Sequence, residues 1–248
     1  ESTYIYQIVH FYFLSFMQTR LKYLGVAMYL IVAVFGLLPG KSLAKEQETY
    51  HPPKGKVRQQ ARKTGGSRGC NLPLNNTVTL LVPQDHTAAT VSERPTFFWY
   101  LSQKSSLPLR FTLIEPGKKT IFSQELTPKP GIVALNLPQS SHPLEIGKTY
   151  RWTVTVICNQ KKPSRNLFAQ AWIERVSLPV SNNFFKDTSF CDVRYARSGI
   201  WYDALACNYV KQLQAQNKTD SNLQEFWALL EEINLPNLAQ RKPKLSLY

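Results

Sequence analysis

Residues Gly131–Cys158, GIVALNLPQSSHPLEIGKTYRWTVTVIC, constrain the fold more than any other stretch of the chain. Tyr150, Trp152, Val154, Val156 and Cys158 fall on one side of an alternation whose other side carries Arg151, Thr153 and Thr155. A period of two belongs to an extended strand with one buried face. A helix would place its apolar residues three and four apart instead. Gly131–Leu137 gives a second strand pattern, so the chain around this stretch must build a sheet.

The joint between these two patterns is specific. Leu144, Gly147 and Tyr150 reproduce the spacing of the corner before the sixth strand of immunoglobulin-like and fibronectin-type sandwiches, where a Tyr hydroxyl reaches back to a backbone group; Trp152 follows at the next inward position. Ile146 stands where those sandwiches often have Pro. Further strand patterns recur at Val78–Val82, Pro95–Leu101, Leu109–Glu115, Lys119–Glu125 and Leu167–Val176. Pro116-Gly117, Pro130-Gly131, Pro138 and Pro163-Ser164 punctuate them. About seven short strands over residues 71–178 predict a mainly β domain, an immunoglobulin-like antiparallel sandwich, with a barrel as the competing closure. Phe97, Trp99, Phe111, Phe122, Trp152, Phe168 and Trp172 are assigned to its core, in preference to a sugar-binding stripe. Phe98 and Tyr100 point to the other side of their strand and, if exposed, form a ligand face.

Beyond Pro179 the period turns helical. Residues 179–235 predict a helical hairpin: a helix over Lys186–Arg197, a second led by Trp201 and Leu205, and a third opened by a capping box at Ser221–Gln224 and running to about Ile233. Gly199, Trp201 and Ala204 resemble the turn and second-helix start of a tetratricopeptide unit. A single copy cannot make a solenoid. Residues 236–248 read as a flexible tail.

The amino-terminal part reads as an address. Arg20 and Lys22, an apolar run Leu24–Leu38, and Ser42-Leu43-Ala44 form the charged, apolar and small-residue order of a secretory signal peptide over Met17–Ala44, with residues 1–16 as an upstream extension. An uncleaved membrane anchor is the rival reading, and the length argues against it, since the run has 15 residues and a span needs roughly 20. Residues 45–70 are a basic linker, with six Lys and Arg and no acid from His51 to Gly69. Four cysteines in an exported chain, Cys70, Cys158, Cys191 and Cys207, predict disulfides. Cys70 and Cys158 bracket the sandwich and are the candidate pair; the pairing of Cys191 and Cys207 stays open.

Catalytic motifs are missing: no phosphate-binding glycine loop, His-Glu-x-x-His, Cys-x-x-Cys, Gly-x-Ser-x-Gly or Ser-x-x-Lys occurs. No cofactor is expected and no metal site is assigned. Of four histidines, His86 and His142 lie in predicted loops, and a hydrolase would have to be built on one of them. Asp85 precedes His86, but neighbours on a loop rarely face one another. Asp203, Glu225, Glu231 and Glu232 read as solvated helix charges.

Gly65-Gly66 with Arg68 and Cys70, Leu80–Pro83, Arg94-Pro95-Thr96-Phe97, Gly131-Ile132-Val133 with Leu137-Pro138, the Leu144–Trp152 corner, Cys158 and Gly199–Leu205 together resemble a known family. It is domain of unknown function 928, uncharacterised secreted proteins of cyanobacteria. The resemblance covers about Gly65 to Leu235 and departs between Pro179 and Tyr195, where Cys191 replaces a clean alanine-rich helix. It implies a periplasmic or secreted protein and transfers no activity. The expectation is therefore an exported, non-enzymatic binding or interaction module of the cell envelope. Cleavage after Ala44 would remove Arg20, Lys22, Lys41 and Glu1 from the 30 bases and 16 acids, and the remaining charge of +12 makes an envelope protein or an acidic polysaccharide the partner, while nucleic acid is a poor one for want of a base-reading motif. The membrane enters only through the signal segment if it stays uncleaved.

Overall fold

Nine strands and four helices follow one another in the computed structural model, which describes residues 50–53, 70, 78–102, 107–118, 120–178, 191–214, 220–241 and 243–248. The strands are β1 (Val78–Leu80), β2 (Ala88–Thr90), β3 (Thr96–Leu101), β4 (Leu109–Ile114), β5 (Thr120–Leu126), β6 (Gly131–Asn136), β7 (Thr149–Val156), β8 (Leu167–Arg175) and β9 (Leu245–Leu247). The helices are α1 (Cys191–Arg197), α2 (Trp201–Gln214), α3 (Asp220–Glu232) and α4 (Pro236–Arg241). Two sheets result, ordered β1-β3-β6-β9 and β2-β8-β7-β4-β5.

Alternation decides which faces meet. Phe97 and Trp99 of β3 reach across to Phe111 of β4 and Trp152 of β7, with ring centroids 4.9 to 6.2 Å apart, so the aromatic layer between the sheets is continuous. In the five-stranded sheet β7 and β8 alternate buried and partly exposed along their length, while the short edge strand β2 is buried at all three positions under α2. The four-stranded sheet is different. β6 is buried at five consecutive positions, Gly131 to Leu135, and its neighbour β3 is buried on both faces, Phe98 lying against Tyr209 and Phe226 of the helices. The molecule is thus a two-sheet sandwich with a third, helical layer on one side.

Several expectations are corrected. Strands number nine, not seven, and β2 pairs with β8, and β6 with β9, in parallel. Both extra strands are three residues long, too short for an alternation to register in the sequence. The expected tail 236–248 instead supplies α4 and β9; Ile132 donates its N–H to Lys244 O at 2.8 Å, and Tyr248 donates to Ala134 O at 2.9 Å. There are four described helices, not two or three, and Ser221 lies inside the first turn of α3, not at its cap. Phe168 is 46% exposed and Trp172 half-buried, because both sit on the outward register of β8. The proposed signal segment Met17–Ala44 and most of the basic linker lie outside the described residues, among which no helix is long and apolar enough to cross a membrane.

Candidate functional site

The start of α2 is where the layers meet. Gly199 takes φ +73°, which a side chain rarely adopts, and a Cβ there would come within 2.8 Å of His51 O, so the tight turn from α1 to α2 needs glycine. Behind it, Trp201 donates its indole N–H to Leu81 O at 2.9 Å and Tyr202 accepts from Trp152 Nε1 at 2.7 Å, both fully buried. Ala204 is also fully buried, and its small side chain lets α2 lie close to the sheet.

This docking carries Asp203 into a cleft between α1, α2 and the segment Thr90–Thr96. The cleft has a volume of ≈ 510 Å³. Thr90 donates its hydroxyl to Asp203 Oδ2 at 2.7 Å and Val91 donates its N–H to the same oxygen at 3.1 Å. Burial raises the Asp203 carboxyl to about 6, against the lowering effect of these donors. Asp203 is therefore no solvated helix charge but a half-buried acid. Around it stand Ser92, Arg94, Tyr195 and Lys211. Arg94 is largely held by Glu93 at 2.6 Å, and Lys211 reaches Glu225 at 4.0 Å.

A second cluster forms where sequence reasoning expected none. Asp85 Oδ1 accepts from His86 Nδ1 at 2.8 Å, and His86 Nε2 lies 2.7 Å from the Tyr50 hydroxyl, so these loop neighbours do face one another. Only His86 is folded inward, 7% exposed, while the Asp85 carboxylate that it meets stays open to solvent. Tyr50 stacks on His86 and meets Trp201 edge-on. Burial, then the charge of Asp85, push the Tyr50 phenol well above its ordinary range, so it stays protonated and donates. Its backbone N–H bonds to the Glu232 carboxylate. A neighbouring cleft of ≈ 450 Å³ is lined by Tyr50, Asp85, His86 and Glu232. Tyr50 had been read as part of the linker; with His51 donating to Ala196 O at 3.0 Å, the stretch Tyr50–Pro53 is instead seated on the helical layer.

The remaining expected sites divide. Cys70 and Cys158 form a disulfide, with Cα atoms 5.5 Å apart, and Cys207 is disulfide-bonded too. Leu144 is buried, Gly147 takes φ +79°, and Tyr150, 1% exposed, accepts from Glu145 N–H at 2.8 Å, while Trp152 lies in the aromatic layer. Phe98 cannot serve as a ligand face: it is 1% exposed under Tyr209 of α2 and Phe226 of α3, and Tyr100 is half-buried against the same core. The helical layer covers the side of β3 that the strand pattern alone left open. His142 is exposed on the turn after β6, away from any described cleft. The Asp203 and Tyr50 clusters escape a reading of the sequence because each joins residues more than 30 positions apart; an acid four positions after Gly199, in the first turn of α2, is the local signal.

A family model described as Domain of Unknown Function (DUF928) matches residues 63–243. No curated protein matches the chain.

Proposed function

The chain belongs to the DUF928 family, a domain of unknown function, and from that premise we propose that it is a non-enzymatic binding module of the bacterial cell envelope, exported through Met17–Ala44, whose Asp203 cleft holds an acidic polysaccharide. One observation carries the reading: the cleft gathers Lys211, Arg94 and the hydroxyls of Thr90, Ser92 and Tyr195 at the seam between a rigid sandwich and its helices. Cations beside hydroxyls at a concave site suit a uronate, whose carboxylate would share Arg94 with Glu93 and Lys211 with Glu225 and whose ring hydroxyls need polar partners. The surplus of 27 bases over 15 acids left after Ala44, once Arg20, Lys22, Lys41 and Glu1 are gone from the 30 and 16 of the full chain, favours the same partner by attraction at distance. The scaffold, in this reading, is an immunoglobulin-like core, supported by the Tyr150 corner and extended by β2, β9 and the helices.

Titration with hexagalacturonate at low and moderate salt tests it. Saturable binding is expected, weakened about tenfold by Lys211→Ala, the loss of one charge-assisted contact. Binding that ignores Lys211→Ala, or none at all, overturns the cleft assignment. An envelope protein captured by the chain and retained at moderate salt would move the function to a protein surface.

A second reading, a periplasmic hydrolase, draws on the Asp85–His86–Tyr50 relay beside a cleft. Its weakness is chemical: a buried, protonated phenol is a poor nucleophile. Hydrolysis of ester or glycoside substrates that His86→Gln abolishes in a folded chain would establish it.

A further inference from the structure

Asp203 is an awkward neighbour for the anion its cleft is proposed to hold. Among the described residues lining that cleft it is the one acid, and no histidine stands with it. The Thr90 hydroxyl and the Val91 N–H both donate to its Oδ2, at 2.7 and 3.1 Å, and Thr90 Oγ1 is itself fixed by the Ser92 N–H at 3.1 Å. The carboxyl is thereby tied to the segment after β2 and stays in the cleft wall when a sugar enters. The bases nearby are already engaged. Glu93 lies 2.6 Å from Arg94 and Glu225 4.0 Å from Lys211, while Arg175 of β8 donates to the carbonyls of Val91 and Leu144. Tyr195 of α1 and Tyr202 of α2 complete the surroundings. Burial, then the Asp203 charge, raises the first phenol and burial raises the second, so both stay protonated. Cys207 is disulfide-bonded and does not titrate.

A uronate brings a second carboxylate into this space. Two carboxylates sharing a partly dry site repel, and one of them takes a proton. The sugar acid, ordinarily a carboxyl of about 4, keeps its charge for Arg94 and Lys211. Asp203 starts from about 6, because burial has already raised it, and is the readier of the two to be neutralised. Once protonated it also has an O–H to donate to a sugar oxygen. We infer that the cleft binds its uronate together with one proton drawn from the medium and received by Asp203, so that acid tightens binding and alkali loosens it. This regulation rests on the uronate reading of the cleft and acts at that same site. It turns a fixed buried acid from a defect of an anion site into the group that sets the pH range over which the site fills.

Hexagalacturonate is titrated calorimetrically into the full chain at about pH 5, 6, 7 and 8 and constant salt. Two buffers of different ionisation enthalpy at pH 7 read proton uptake separately from affinity. With Asp203 about nine-tenths protonated at pH 5 and about one-tenth at pH 7, affinity should fall about tenfold between them, with nearly one proton taken up per ligand at pH 7. Asp203→Asn, neutral throughout, should bind at pH 7 about as tightly as the parent does at pH 5, with no proton uptake. The chain's histidines are unaltered in that variant, so any pH dependence they cause survives in it. Thr90→Val removes a donor that favours the ionised carboxyl and should move the fall in affinity to higher pH. Near-ultraviolet circular dichroism checks that each variant is folded. Equal affinity at pH 5 and 7 with no proton uptake, or a pH dependence that Asp203→Asn leaves in place, overturns the proton coupling while the uronate site stands. Absence of binding at every pH removes both.

Discussion

At the scale of single residues, two side chains do work that their types alone would not announce. The Tyr150 hydroxyl receives the N–H of Glu145 inside a corner where water is scarce. Tyr150→Phe keeps the ring but strands that donor, and should lower stability by about 1–2 kcal/mol, seen as a reduced urea midpoint at unchanged slope. Asp203 has the opposite character. Its folded pKa, about 6, lies above the ordinary value near 3.9, so between roughly pH 4 and 6 the folded chain holds a proton that the unfolded chain has released. Stability from this group therefore falls as pH rises through that window and stays lower above it, by on the order of 2–3 kcal/mol. Asp203→Asn should flatten that slope and be more stable than the parent at pH 7, as measured by urea unfolding at pH 4, 5, 6 and 7. An unchanged slope would mean the carboxyl is solvated after all.

At the scale of elements, one edge of each sheet is closed by a short parallel strand, β2 or β9, whose position depends on distant partners. β9 approaches β6 so closely that a Cβ on Gly131, where φ is +105°, would collide with Lys244 O. Gly131→Ala should therefore detach β9 while the sandwich stays folded. Hydrogen exchange at the Ile132 and Tyr248 amides, which bond across that gap, should speed up at least tenfold, with the amides of β7 unaffected. The helices behave alike: α3 buries Phe226, Trp227, Leu229 and Leu230, a stripe readable from helical spacing, but the surface it covers is the far side of β3. That is why Phe98, exposed by any reading of its own strand, is among the most buried residues of the molecule.

At the scale of the whole molecule, the Cys70–Cys158 bond closes a span of 88 residues that contains most of the sandwich. Replacing both cysteines with Ser should cost about 4–5 kcal/mol in the loop-closure account, visible as a lower unfolding midpoint under oxidising conditions. Much of this architecture was legible in the order of residues. Period-two alternation marks β4, β7 and β8 because one face of each is dry and the other wetter, and the Leu144–Tyr150 corner shows because turn geometry is local. What stayed hidden shares one cause. β2 and β9 are too brief to carry a period, Phe168 and Phe98 exchanged their expected exposure because burial depends on which layer lies opposite, and the Tyr50–His86–Asp85 and Thr90–Asp203 clusters join segments 36 and 113 positions apart. The sequence by itself determined the strands, the corner and the helical stripe, since each arises from contacts within a few residues. Only the tertiary structure decided which sheet the helices cover, which acid is buried and which aromatic rings remain outside, since those follow from long-range packing, where side chains far apart in the chain compete for the same dry surfaces.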